Sequence, residues 1–299
     1  MPETTGRIPV YAVVGPTATG KSAYAIRLAK ETDGEIVSGD SMQIYRGMDI
    51  GTAKTLPEEQ KGVPHHLIDV AEIAEPFSAG KFIEQAKQAI FEIASRGKTP
   101  IVCGGTGLYI ELLLTGRKLV ETTADPALRE ELFRYAEANG NEALHSLLRK
   151  EDPEAAAAIH PNNVKRVVRA LEICRTSGMT KTEADRQSRE ADNPFAPHIV
   201  RLTFGDREKL YRRIDARVDA MFGKGLEAEV RALCERGLRE TPTASQAIGY
   251  KEFYPYFDGT ATLRDVRDAI CLNTRHYAKR QETWFSAMHT DETVVIGAD

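Results

Sequence analysis

A parallel α/β sheet flanked by helices, interrupted by an all-helical insertion, is the fold class that this sequence predicts. Three observations carry the prediction. Short apolar runs alternate with helix-forming stretches from Val10 to Tyr109, the pattern of strands joined by crossover helices. One of these junctions, Gly15-Pro-Thr-Ala-Thr-Gly-Lys-Ser22, matches G-x-x-x-x-G-K-[ST] directly after the run Val10–Val14. From Lys118 to Pro197 the alternation stops and only helical patterns remain, before a strand resumes at His198. Together they predict a P-loop NTPase-like α/β core made of residues 1–117 and 198–299, with a helical insertion domain over 118–197.

The elements follow in order. Val10–Val14 is a buried strand, and Gly20 to Lys30 is the helix whose first turn would face a phosphate. Glu35–Ser38 is a second strand ending at Asp40, and His66–Val70 a third. Ser78 caps a helix to Ile93 with Phe82, Ala86, Ile90 and Ile93 at helical spacing. Pro100–Cys103 is the next strand, and Gly104-Gly-Thr-Gly107 turns the chain into another helix. In the insertion, helices are expected at Pro126–Ala138, Asn141–Arg149, Pro153–Ala158 and Asn162–Thr176, with Ser177-Gly178 and Ala191–Pro197 as breakers. Beyond His198–Phe204 come one long helix from Arg207 to about Arg236, helices near Ser245–Phe257 and Leu263–Ala287, and an edge strand at Thr293–Ile296.

The 299 residues suffice for one large domain with an appended lobe. A hydrophobic content of 41% and a net charge of −4 describe a globular chain without a global basic signature, so any nucleic-acid surface must be a local patch. Cys103, Cys174, Cys234 and Cys271 are scattered, which argues against a disulfide framework and a zinc site and suits a reducing compartment. Apolar runs stay short of a membrane span, and Met1–Pro9 has no leader-like apolar core. A cytoplasmic chain with no membrane partner is expected, acting as a monomer.

Chemistry concentrates in a few places. In the loop, Gly15, Pro16, Thr17, Ala18, Thr19 and Gly20 would turn backbone N–H groups onto a diphosphate or nucleotide, ATP included. Lys21 supplies a flexible cation and Ser22 a hydroxyl for Mg²⁺. Asp40 ends the second strand at the edge that faces this loop. It is either a general base or metal ligand, or merely the cap of the following turn. Thr106 stands at the same edge in a glycine-rich turn that could equally be plain chain reversal. Arg213 and Arg217, four apart, share a helix face and would clamp a polyphosphate, although a solvated charged face makes the same pattern. Arg275 and Lys279 lie among Tyr277, Trp284 and Phe285, a mixture that suits RNA or an ordinary core edge. Lys165, Arg166 and Arg169 form a weaker patch. His65-His66 lacks ligand spacing for a metal.

These segments together resemble the bacterial tRNA dimethylallyltransferases, the IPP transferase family. The likeness lies in Gly15–Ser22, Ser38–Lys54, Gly62–Asp69, Gly104–Tyr109, His160–Asn163, Arg169–Glu172, Ala247–Glu252, Arg275–Gln281 and Thr283–Phe285. It implies an enzyme that moves a dimethylallyl group from dimethylallyl diphosphate to the N6 amine of the adenosine 3′ of the anticodon, releasing pyrophosphate. By resemblance, the loop, Mg²⁺, Arg207, Arg213 and Arg217 hold the diphosphate, and Asp40 accepts the amine proton with Thr106 beside it. Asp40, Ser41, Met42, Gln43, Thr106, Lys165, Arg166, Arg169, Gln246, Gly249, Tyr250, Lys251, Arg275, Lys279 and Arg280 would meet the tRNA, whose target base is flipped from its stack. Position 39 is Gly where the family usually has Ala, and Lys181–Arg189 matches none of its segments. The alternatives are an adenylate isopentenyltransferase acting on free nucleotide, and a small-molecule kinase using the same loop on ATP.

Overall fold

The computed structural model describes residues 6–117, 125–189 and 192–297. The expected start of the insertion at Lys118, the breaker at Ala191 and the first five residues lie outside the described residues. In chain order the elements are β1 (Ile8–Val14), α1 (Lys21–Glu31), β2 (Gly34–Ser38), β3 (His65–His66), α2 (Ala79–Ser95), β4 (Thr99–Gly104) and α3 (Gly107–Thr115). Five helices follow: α4 (Pro126–Asn139), α5 (Asn141–Glu151), α6 (Pro153–Ala158), α7 (Val164–Ser177) and α8 (Lys181–Arg189). Then come β5 (Phe195–Phe204), α9 (Arg207–Gly223), α10 (Leu226–Glu235), α11 (Tyr254–Phe257), α12 (Leu263–Ala287) and β6 (Glu292–Ile296).

The strands form one parallel sheet in the order β3-β2-β4-β1-β5-β6. Alternation along the strands divides the core. Val10, Ala12, Val14, Val37 and Val102 pack with α2, α3 and the carboxyl-terminal helices, whereas Val13, Ile36, Ile101 and Leu202 pack with α1. β1 lies between β4 and β5, while the chain leaving it crosses over β4 to reach β2. The strand order therefore reverses at the carboxyl end of β1, where an open sheet offers a crevice.

Four local expectations change. β3 is two residues long, because Leu67 and Asp69 take φ of 61° and 55° and end the extended run. The single helix expected from Arg207 to Arg236 is two helices, broken where Gly225 turns left-handed at φ 94°. The stretch near Ser245–Phe257 is a series of 3₁₀ turns and the four-residue α11, since Gly249 sits at φ 94° and Pro255 withholds an amide. β5 starts at Phe195, ahead of His198. Its Pro197 is tolerated because β6 joins only from Val200, leaving a single neighbour at that level.

The chain divides into two compact units, one comprising residues up to Thr115 and from Pro194, the other Gly116–Asn193. The second unit is helical throughout its described residues. Leu132, Leu144, Leu148, Val167 and Leu171 form its core. Asp125 and Asp152 cap α4 and α6, each with Pro at the first helical position. Lys181–Arg189 is a helix fastened to Asp152, whose carboxylate accepts from Thr182 N–H at 2.9 Å and from its hydroxyl at 2.8 Å. Among the described residues no helix is long and apolar enough to cross a membrane.

Candidate active site

The loop after β1 is shaped by positions that tolerate unusual dihedrals. Gly15 has φ 139°, and a Cβ there would stand 2.1 Å from the carbonyl oxygen of Leu202. Gly20 at φ 87° and Ala18 at φ 65° complete the turn. Buried Thr19 donates to Pro16 O at 2.8 Å and stiffens it from within. No side chain caps the amino end of α1, and its first turn holds no acidic residue. Its first N–H groups can therefore donate to an anion. Lys21 curls over the loop, its Nζ donating to Pro16 O at 2.6 Å. Burial pushes the Lys21 ammonium down to about 8; Cys103 and Asp40 oppose the shift and Arg217 adds to it. An arriving polyphosphate would reverse that depression. Ser22 is exposed at the loop's end.

Across the sheet edge, β2 delivers Asp40. Its Oδ1 accepts from Met42 N at 2.8 Å and from Gln43 N at 3.3 Å, so the carboxylate does cap its turn. Oδ2 has no hydrogen bond among the described residues, and Asp40 is one of the residues that line the cleft. The turn rests directly on the next strand, since a Cβ on Gly104 would come 2.4 Å from Gly39 C. Gly39 itself has little room: a Cβ there would lie 3.1 Å from Ile110 Cγ1. Thr106 is not part of the cleft wall. Its N–H donates to Gly39 O at 3.2 Å and its hydroxyl accepts from Ser41 N at 3.0 Å, which makes it a brace for the turn carrying Asp40.

Both loops open on one cleft of about 740 Å³. Thr17, Ala18, Gly20, Lys21 and Ser22 line one end, together with Arg213 and Arg217 from α9. Arg213 Nε donates to Ala18 O at 2.9 Å, and Arg217 Nη2 to Thr52 O at 3.4 Å. Burial lowers the Arg217 pKa, with Asp40 opposing. Met42, Ile214, Val218, Met221, Ile248 and Ile270 provide an apolar wall. Ser41, Gln43, Gln246, Lys251 and Arg280 complete the polar side.

Other expected residues go elsewhere. Arg207 is exposed at the start of α9 and does not line the cleft, because it is out of phase with Arg213 and Arg217. Tyr250 is fully buried, its hydroxyl donating to Glu229 Oε1 at 2.7 Å, and Gly249 is buried against Gly51. Neither offers a surface to RNA. Arg275 is ion-paired with Asp215 and stacked over Tyr211, away from the cleft. Lys279 is exposed on the outer side of α12. Trp284 covers Gly107, where a Cβ would lie 2.6 Å from its ring, so it is largely core. His66 pairs with Glu35 at 2.7 Å. In the helical unit Lys165 and Arg166 are exposed, while Arg169 is paired with Glu172 at 2.6 Å.

Some residues that organise the site carried no clear local signal. Glu229 of α10 accepts from the N–H groups of Asp49, Ile50 and Gly51 at 3.1, 2.7 and 3.1 Å, fixing the loop that forms one cleft wall. Gln281 and Tyr277 of α12 both reach Gly105 O, at 2.9 and 3.3 Å. The spacing of four between them was the only hint that they act on one point. No group of three or more His, Cys, Asp or Glu among the described residues could hold a metal alone. A single hydroxyl, Ser22, beside a phosphate cradle suits Mg²⁺, which takes few protein ligands and arrives with phosphate oxygens and water.

A glycine-rich loop of the phosphate-binding pattern at a strand-order switch point, in one cleft with a carboxylate and an apolar wall, defines a P-loop α/β protein. Residues 43–288 match the family model described as IPP transferase. The chain is 50% identical over 278 residues to the tRNA dimethylallyltransferase of Bacillus subtilis, covering 93% of this chain and 87% of that protein. The solved full-length tRNA isopentenylpyrophosphate transferase of Bacillus halodurans superposes with a TM-score of 0.71 at 45% identity, covering 96% of this chain and 89% of that one. A eukaryotic dimethylallyltransferase solved acting on tRNA gives 0.78 at 32% identity, covering 93% of this chain and 70% of that one. The chain belongs to the IPP transferase family.

Proposed function

We propose that this protein transfers the dimethylallyl group of dimethylallyl diphosphate to the exocyclic N6 amine of the adenosine 3′-adjacent to the anticodon in tRNA, releasing pyrophosphate. The observation that carries the reading is that one cleft is lined by the cations Lys21, Arg213 and Arg217, by an apolar wall and by Asp40, whose Oδ2 has no hydrogen bond among the described residues. The names of the relatives support tRNA as acceptor and prenyl transfer as reaction.

Chemistry follows from the arrangement. The allylic C–O bond breaks as the amine nitrogen forms the C–N bond, and the proton lost from nitrogen goes to Asp40 Oδ2. Lys21, Arg213 and Arg217, with the first N–H groups of α1, stabilise the charge growing on the departing pyrophosphate. Mg²⁺, when bound through Ser22 and the diphosphate oxygens, would add to that neutralisation. The apolar wall suits the five-carbon group and excludes water from an allylic centre that water would otherwise trap. Gln246, Lys251 and Arg280 line the cleft and are the groups we assign to the incoming RNA, with Lys165 and Arg166 as candidates for further phosphate contacts. We read the catalyst as a monomer at work in the cytoplasm.

The test is mass analysis of tRNA nucleosides after incubation with dimethylallyl diphosphate and Mg²⁺, with AMP as a competing acceptor. The expected product is prenylated adenosine in the anticodon stem-loop. Transfer to AMP alone, or phosphate release independent of any prenyl donor, would overturn the reading.

A further inference from the structure

The side-chain amide of Gln281 links two loops far apart in sequence. Its Oε1 accepts from the backbone N–H of Thr17 at 2.8 Å, and its Nε2 donates to the carbonyl of Gly105 at 2.9 Å. The residue is 5% exposed, so both bonds are sheltered from water. The chemistry is selective. Thr17 N–H can only donate and Gly105 O can only accept, so the bridging group must offer one acceptor and one donor at once. A carboxamide does this; a carboxylate or an alkyl group does not. Space is equally constrained, because a Cβ on Gly105 would stand 2.2 Å from Gln281 Nε2. Tyr277, one helical turn earlier, donates its hydroxyl to the same carbonyl at 3.3 Å.

We infer that Gln281 is a positioning residue that sets the phosphate loop for its ligand and ties it to the turn that braces Asp40. The inference rests on the reading of the cleft as a diphosphate site. Thr17 N–H is committed to Gln281, so it is withdrawn from the cradle, and the phosphate donors are left to the residues that follow it in the loop. Immediately after Thr17 comes Ala18 at φ 65°, a conformation that a non-glycine residue keeps only when its surroundings hold it. The Gln281 bridge is anchored on the residue directly before it. On the other side, the peptide following Gly105 carries Thr106 N–H, which donates to Gly39 O next to Asp40. One amide thus connects the loop that receives the leaving group with the loop that carries the base.

The test compares wild type with Gln281→Glu, Gln281→Leu, Gly105→Ala and the double variant Gly105→Ala/Gln281→Leu. Inorganic pyrophosphate binding is measured by calorimetry, KM for dimethylallyl diphosphate and for an anticodon stem-loop by steady-state kinetics, and folding by thermal denaturation. Gln281→Glu and Gln281→Leu are expected to weaken pyrophosphate binding and raise the donor KM by about tenfold or more, with the stem-loop KM within about twofold. Gly105→Ala displaces the same amide without touching Gln281 and is expected to act in the same direction. Its effect in the double variant should be smaller than the sum of the singles. Should Gln281→Leu fail to fold, Gln281→Glu and Gly105→Ala still decide. Folded variants that bind pyrophosphate and donor like wild type overturn the inference. Wild type that binds pyrophosphate but prenylates no tRNA overturns the functional reading instead, and leaves the clamp to be judged on pyrophosphate alone.

Discussion

Asp40 and Glu172 are both acidic, both shielded, and each accepts from at least one backbone N–H, yet their surroundings prepare them for opposite tasks. Glu172 in the helical unit is fully buried and fully satisfied: Arg129 at 2.7 Å, Arg169 at 2.6 Å and the N–H of Asp125 at 3.0 Å take up its oxygens. Burial alone would raise its carboxyl, but those hydrogen bonds outweigh it and hold the group below its ordinary value. Asp40 in the α/β unit is half-satisfied. One oxygen caps a turn, the other has no hydrogen bond among the described residues, and the residue lines a cleft with Lys21 and Arg217. A carboxylate whose lone pairs are all taken stabilises a fold, whereas one with a vacant oxygen in a cleft can accept a proton.

The largest expected effect separates the two roles inside Asp40 itself. Asp40→Asn keeps an acceptor oxygen for Met42 and Gln43 but cannot take a proton. Turnover should fall by roughly 10²–10⁴-fold while tRNA binding and the melting temperature stay close to wild type. Asp40→Ala should show the same loss of turnover with a further drop in stability of about 1 kcal/mol from the lost cap. Near-wild-type turnover in Asp40→Asn would remove the base from the mechanism and leave Asp40 as a second Glu172.

Next in size is the pH dependence of donor binding. Lys21 titrates at about 8 in the free protein because burial disfavours its charge, and a bound diphosphate would favour that charge. Below about 8 the ammonium is already formed and affinity should be flat. Above it, binding must take up a proton, so donor affinity should fall by up to roughly tenfold per pH unit until the higher pKa of the complex is reached. Pyrophosphate calorimetry between pH 7 and 10 checks this, and Lys21→Arg, which stays charged, should flatten the profile. A wild-type profile without the break would mean that Lys21 keeps its proton at all these pH values.

The contrast also shows what a sequence discloses. The sheet, the phosphate loop and the helical unit were legible because each is written in local periodicity or in a contiguous motif. Arg213 and Arg217 were legible for the same reason, being four apart on one helix. Arg275 shows the limit: flanked by aromatics in a basic stretch it resembles an RNA contact, yet Asp215, on a different helix, claims it. Tyr250 lies within a segment typical of the family, but its role is to hold Glu229, which in turn holds the amides of Asp49 to Gly51. β3 and the segment around Gly249 failed for a backbone reason, since left-handed φ at Leu67, Asp69 and Gly249 has little local signature. Pairings across long separations, such as Thr17 with Gln281, have none.

Breaking Glu172 should leave chemistry alone and weaken the helical unit. Glu172→Ala strands two arginines and the Asp125 amide. Because both arginines reach water, the expected loss is about 1–3 kcal/mol rather than the larger figure for a sealed ion pair. Chemical denaturation followed by helical signal measures it. Acid should have the same effect: the folded-state carboxyl is depressed, so its stabilisation is present above the ordinary carboxylate range near 4 and lost as pH falls through the lower folded value.

The smallest effect tests the geometry of α9. At about 100° per residue, Arg217 lies almost directly above Arg213, while Arg207, six residues earlier, is rotated by about a third of a turn. Resemblance alone assigns all three to the diphosphate; the structure brings only two to the cleft. Arg213→Ala should raise the donor KM by about tenfold, and Arg217→Ala by at least as much because its charge is buried beside Asp40. Arg207→Ala should change it by less than about twofold and leave stability within about 0.5 kcal/mol, as for other exposed sites. Equal losses from Arg207 and Arg213 would mean that the first turn of α9 unwinds and folds over the loop when the donor binds, and that Arg207 joins the cleft only in the complex.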